Sequence, residues 1–152
     1  RTHFMEKLEK RMKTFMSRAV LASLLMGASM LATAATPAPK GAEVSIVSPE
    51  DGATVGQTFI VKFAVKDISL APAGDVTKNT GHHHLLIDVD KLPAVGTPIP
   101  TDAHHMHFGK AQTQAEIKLA PGKHTLQLVL GDSGHQVFDP PIVSKKITVN
   151  VK

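Results

Sequence analysis

Hydrophobic and polar residues alternate with a period of two through much of the chain beyond residue 42. Phe59, Val61, Phe63 and Val65 alternate with Ile60, Lys62, Ala64 and Lys66. Thr113, Ala115, Ile117 and Leu119 alternate with Gln114, Glu116 and Lys118 in the same way. Successive side chains on a strand point to opposite faces, so each run predicts a half-buried β-strand. Residues 82–89 predict a second long strand, residues 43–47 a short one, and residues 104–108 a short extended segment. Leu126, Leu128 and Leu130 share one face of a further strand, and Ile147, Val149 and Val151 mark the last. Between these runs lie turn and loop signals: Ser48-Pro49-Glu50-Asp51-Gly52, residues 69–80, the Pro-rich residues 92–102, Ala120-Pro121-Gly122-Lys123, and residues 131–141. No segment of this part shows helical periodicity. About seven short strands at this spacing predict an all-β, antiparallel β-sandwich.

The first 35 residues follow a different pattern. Arg11, Lys13 and Arg18 precede an apolar run over residues 19–31, and Ala32-Thr33-Ala34 places small residues at the positions a signal peptidase requires. Residues 1–35 are therefore expected to be a secretory signal peptide, with residues 1–11 an extension upstream of Met12. The apolar run is shorter than the roughly 20 residues needed to span a bilayer, so no membrane insertion is expected after cleavage. Residues 36–42 form a Pro-rich tether, and residues 43–152 the sandwich domain.

Removing the leader changes the electrostatics. It carries six of the 17 basic residues and two of the 13 acidic ones, which leaves 11 Lys, no Arg and 11 acids. A domain with no net charge and no Arg lacks the footprint of a nucleic-acid binder. The chain contains no cysteine, so disulfides, thiolate ligands and a Cys nucleophile are all excluded.

Eight of the nine histidines fall after residue 81, several of them at strand spacing. Alternate residues on a strand share a face about 6.5 to 7 Å apart, so His82 pairs with His84 and His105 with His107. Two such pairs on neighbouring strands could supply four imidazoles to one ion, and His135, in a loop beside Asp132, could complete the set. Imidazole without thiolate suits Cu(II) or Zn(II), with Ni(II) behind them. His83 shares its face with Leu85 and Ile87 and is expected to be a hydrogen-bonded core histidine. Met106 is expected to face the core, and His104 to be an outer-shell group or an exposed loop residue.

Two resemblances extend this picture. IVSPEDGATVGQTFIVKF and LAPGKHTLQLVLGD resemble the opening and the penultimate strand of bacterial immunoglobulin-like domains, which implies an immunoglobulin-like sandwich with His124 at the corner often held by a Tyr. GHHHLLID (81–88), HMHFGKAQT (105–113) and PGKHTLQLVLGDSGH (121–135) resemble an uncharacterised family of small exported bacterial proteins. That likeness implies a periplasmic or secreted location but no activity. Members often carry further histidines where this chain has Ser133 and Phe138.

Gly131-Asp132-Ser133-Gly134 echoes a protease nucleophile motif, but the chain is about half the length of those enzymes and no enzymatic activity is expected. A copper enzyme acting on oxygen species is a remote alternative. The expectation is an exported copper or zinc carrier or buffer. The competing one is an adhesion or assembly module of the cell envelope that recruits a partner or itself through edge strands and has no metal role.

Overall fold

A computed structural model describes residues 34–152, so the leader expected at residues 1–35 lies almost wholly outside the described residues. Nine strands and no helix occur among them: β1 (Glu43–Ser48), β2 (Thr54–Val55), β3 (Thr58–Lys66), β4 (Ser69–Leu70), β5 (Thr80–Ile87), β6 (His105–Phe108), β7 (Gln114–Lys118), β8 (Gly122–Gly131) and β9 (Ile147–Val151). One sheet has the order β1-β3-β7; the other has β2-β9-β8-β5-β4, with β6 also pairing β5.

Long partners in both sheets are antiparallel, whereas β2 runs parallel to β9 and β4 parallel to β5. First, third and seventh strands in one sheet, opposed by the fifth, eighth and ninth, give the ABE against CFG division of an immunoglobulin-like sandwich. The alternating runs position it. Val61 and Phe63 of β3 and Ile117 of β7 turn inward to meet Leu85 and Ile87 of β5, Leu126, Leu128 and Leu130 of β8, and Val149 of β9. With no disulfide to help, packing carries the stability, and each fully buried Leu or Val contributes about 1.5–3 kcal/mol.

β2 and β4, two residues each, escape the sequence pattern because so short a strand has no period to display.

β5 is buried on both faces, which sets it apart from its neighbours. Its inner residues His83, Leu85 and Ile87 face the core. Its outer residues His82, His84 and Leu86 would face solvent in an open sheet, but the 92–102 and 131–138 loops fold over them. Ile99 and Val137 pack there on Leu86 and Val129 as a second small core. Ile99 N–H donates to the His135 carbonyl at 2.8 Å and Val137 N–H to the Thr97 carbonyl at 3.1 Å, which ties the two loops together. The head of the Pro-rich segment is docked as well: Ala38 N–H donates to the Asp139 carbonyl at 2.8 Å, and Asp139 N–H to that of Thr36 at 2.9 Å.

His124, the third residue of β8, closes the corner where that strand begins. Its Nδ1–H donates to Asp88 Oδ2 at 2.7 Å and its Nε2–H to the Ala120 carbonyl at 2.8 Å. Both ring nitrogens face acceptors, so the ring is held as an imidazolium, and the hydrogen bond to Asp88 raises its pKa above the usual histidine value.

Candidate metal centre

Four of the five histidines singled out in the sequence stand together under this loop cover. His82 and His84 project from the outer face of β5, His107 from β6, and His135 from the loop after β8. One ring nitrogen from each lies within 4.8 Å of the other three. The register explains the approach of β6, since His84 and His107 are directly paired residues of an antiparallel ladder. Their ring centroids lie 5.0 Å apart, and His107 and His135 approach to 4.6 Å.

His105 is the exception. It shares a face with His107, but the register sets it opposite Leu86, two pairs along the ladder from His84 and His107. Its Nδ1–H donates to Asp102 Oδ1 at 2.8 Å, an exposed contact that turns the ring away from the other four. His104 also lies apart, its Nδ1–H donating to the Ile87 carbonyl at 2.9 Å. Met106, on the other face of β6, packs toward the core as expected.

His83 corrects the sequence expectation in one respect. It is buried on the core side, its ring centroid 4.8 Å from that of Phe63, yet neither ring nitrogen has a hydrogen-bond partner. Burial pushes its pKa down to about 4, so it is a neutral ring in an apolar setting.

His82 Nε2 lies 2.9 Å from His84 Nε2 and 3.0 Å from His135 Nδ1. Three ring nitrogens thus converge on a point where neutral imidazoles have too few protons and lone pairs to satisfy all of them. His84 Nδ1 and His107 Nε2 are buried with no partner. Burial, then repulsion from His107 and His135, lowers the His82 pKa to about 4, with Asp132 pulling weakly the other way. Burial and the other three rings lower His84 to about 3, and His107 is shifted downward by burial and by His135. At neutral pH His82, His84 and His107 are therefore neutral rings, each with one unprotonated nitrogen to offer a metal ion.

Three residues support the cluster in ways the sequence reading did not assign to them. A Cβ on Gly131 would lie 2.8 Å from His84 Nε2, and one on Gly109 would run into His107 Cε1. The rings occupy space that only glycine leaves free at these two positions. Asp132 shapes the third segment: its Oδ1 accepts N–H bonds from Gly134 and Gln136, both at 2.9 Å, and its Oδ2 accepts the Thr36 hydroxyl at 2.7 Å. The resulting tight loop holds His135 at φ +60°, a left-handed conformation uncommon outside glycine. The available signal was the Asp-x-Gly turn chemistry immediately before His135.

No helix among the described residues is long and apolar enough to cross a membrane. No curated protein matches the chain. Among solved structures, it is similar to the fibronectin(III)-like modules of Clostridium thermocellum CbhA, at 14% identity over 71% of this chain and 92% of that one, with a TM-score of 0.37. Residues 61–152, which contain all four clustered histidines, match the model of the family described as "Domain of unknown function (DUF4399)", and the chain belongs to that family.

Proposed function

We propose that the protein is an exported metal-binding protein, a carrier or buffer for copper or zinc, with His82, His84, His107 and His135 as the ligands. The observation that carries this reading is the convergence of four imidazole nitrogens within 4.8 Å, two of the rings fully buried. Buried polar groups in folded proteins are nearly always satisfied, and a group of neutral rings left short of partners is accounted for by an ion they are built to hold. Export rests on the leader-like pattern of residues 1–35.

The fit is chemical as well as geometric. Unprotonated imidazoles are ligands for Cu(II) and Zn(II), and no thiolate competes for a softer ion. His82 and His84 are fixed by the ladders on either side of β5, while His107 and His135 are half-buried on a short edge strand and a loop. A rigid half and a more accessible half suit an ion that is taken up and handed on.

Protein purified without a histidine-affinity resin should contain, or take up on titration, one Cu(II) or Zn(II) per chain by calorimetry. Absence of stoichiometric uptake of either ion would remove the proposal and leave the envelope-module reading.

A further inference from the structure

We infer that the four-histidine site is built for Cu(II) in a tetragonal arrangement, with His82 Nε2 as the shared corner, rather than for tetrahedral Zn(II). The inference rests on the metal-binding reading above and narrows it to one ion and one geometry.

The first argument is the spacing of the nitrogens. With metal–nitrogen bonds of about 2.0 Å, the edge of a regular tetrahedron is about 3.3 Å, whereas neighbouring corners of a square are about 2.8 Å apart. The two edges meeting at His82 Nε2 measure 2.9 Å to His84 Nε2 and 3.0 Å to His135 Nδ1. At the same bond length they subtend about 93° and 97°, close to a right angle. Hydrogen bonding does not account for both edges. A single nitrogen with one proton or one lone pair cannot serve two neighbours at full strength.

The second argument is the set of donors. Structural zinc sites are usually closed by cysteines or by cysteines with histidines, and catalytic ones by three protein ligands with a position left open. Four imidazoles with no thiolate and no carboxylate match neither pattern. The nearby Asp132 is not among the residues whose ligand atoms converge, and its oxygens hold the loop through Gly134, Gln136 and Thr36. An all-nitrogen tetragonal set is the environment Cu(II) and Ni(II) prefer, and of the two Cu(II) binds the more tightly at a given set of nitrogen ligands.

The third argument is the glycine pair. Gly131 and Gly109 leave no Cβ against the His84 and His107 rings, so both rings lie close against backbone. The fully buried His84 ring in particular has little room to swing toward a more open tetrahedral spread.

The test is electron paramagnetic resonance of the untagged full chain loaded with one equivalent of Cu(II), together with the visible spectrum after loading with Co(II). The expected result is an axial copper signal with hyperfine splitting from four nitrogens, and no intense tetrahedral Co(II) bands. His135→Ala, a loop substitution that spares the core, should reduce the coupled nitrogens to three. Stoichiometric binding with intense tetrahedral Co(II) bands, or with a copper signal of fewer than four nitrogens in the unsubstituted protein, would overturn the geometry and leave the metal-binding reading intact. Failure to bind either ion would overturn both.

Discussion

His84 and His107 face each other as paired residues of an antiparallel ladder, their ring centroids 5.0 Å apart, 23 positions distant in sequence. Their pairing brings the short edge strand β6 to the histidines of β5. Removing His107 should therefore open the cluster without touching the core. His107→Ala is expected to weaken metal affinity at least tenfold while leaving the urea midpoint of the metal-free protein nearly unchanged. Melting with and without ion checks the linkage: the unsubstituted protein should gain about 2.7 kcal/mol at free ion 100 times Kd, and the variant far less.

His105 supplies the matching control. Its imidazole is bonded to Asp102, not to the cluster. His105→Ala should bind metal within about twofold of the parent by calorimetry, since surface substitutions away from special features change energies by only about 0.5 kcal/mol. A tenfold loss would mean that its ring swings into the site when the ion arrives.

Gly109→Ala tests the space beside His107. The added methyl would run into Cε1 of a half-buried ring on an edge strand, and that ring can yield by moving. The fold should survive and the ligand should be displaced, with affinity down at least tenfold and the melting temperature of the metal-free protein lowered by only a few degrees. Gly131→Ala should be harsher, because the His84 ring it meets is fully buried.

His83 makes no hydrogen bond and sits against Phe63. An unsatisfied buried polar atom costs about 1–3 kcal/mol, so His83→Leu, similar in volume, should raise denaturant stability by a comparable amount. Metal stoichiometry should remain one per chain. Loss of stability in this variant would show that the ring has a polar partner it lacks here.

The His124–Asp88 corner predicts a pH dependence. The His124 pKa is raised, chiefly by its hydrogen bond to Asp88, so its contribution is complete below the ordinary value near 6.5 and is lost as pH rises through the raised value. Burial pushes Asp88 upward, but hydrogen bonds from His124 and the Thr125 amide prevail and its pKa falls below 3.8. The Asp88 contribution is thus present above that value and lost as pH falls further. His124→Ala should cost more stability at pH 5.5 than at pH 9. Equal costs at the two pH values would count against a charged corner.

Much of this architecture was legible in the chain because Phe59–Val65 and Thr113–Leu119 carry a period of two with few breaks, and a half-buried strand is what such a period means. The site was legible in part for the same reason, since spacing by two puts His82 and His84 on one face. Spacing within a strand cannot reveal register between strands. That is why His105 and His107 looked equivalent in sequence, although only His107 is set opposite His84 and His105 lies two pairs along the ladder, opposite Leu86. Burial on both faces of β5 was also hidden, because the cover comes from irregular loops that carry no period. Gly109 and Gly131 matter through the side chains they do not have, which only coordinates disclose.

The placement of β5 between hydrogen-bonded neighbours has a kinetic consequence. Amide protons of residues 82–86 should be among the slowest to exchange, so two of the four donors sit on the least yielding backbone in the molecule. Dissociation of a bound ion would then begin with the imidazoles of the edge strand and the tight loop. The residence time of the ion would be set by the breathing of a few peripheral residues, and an acceptor that engaged those two segments could draw the ion out while the sandwich itself stayed closed.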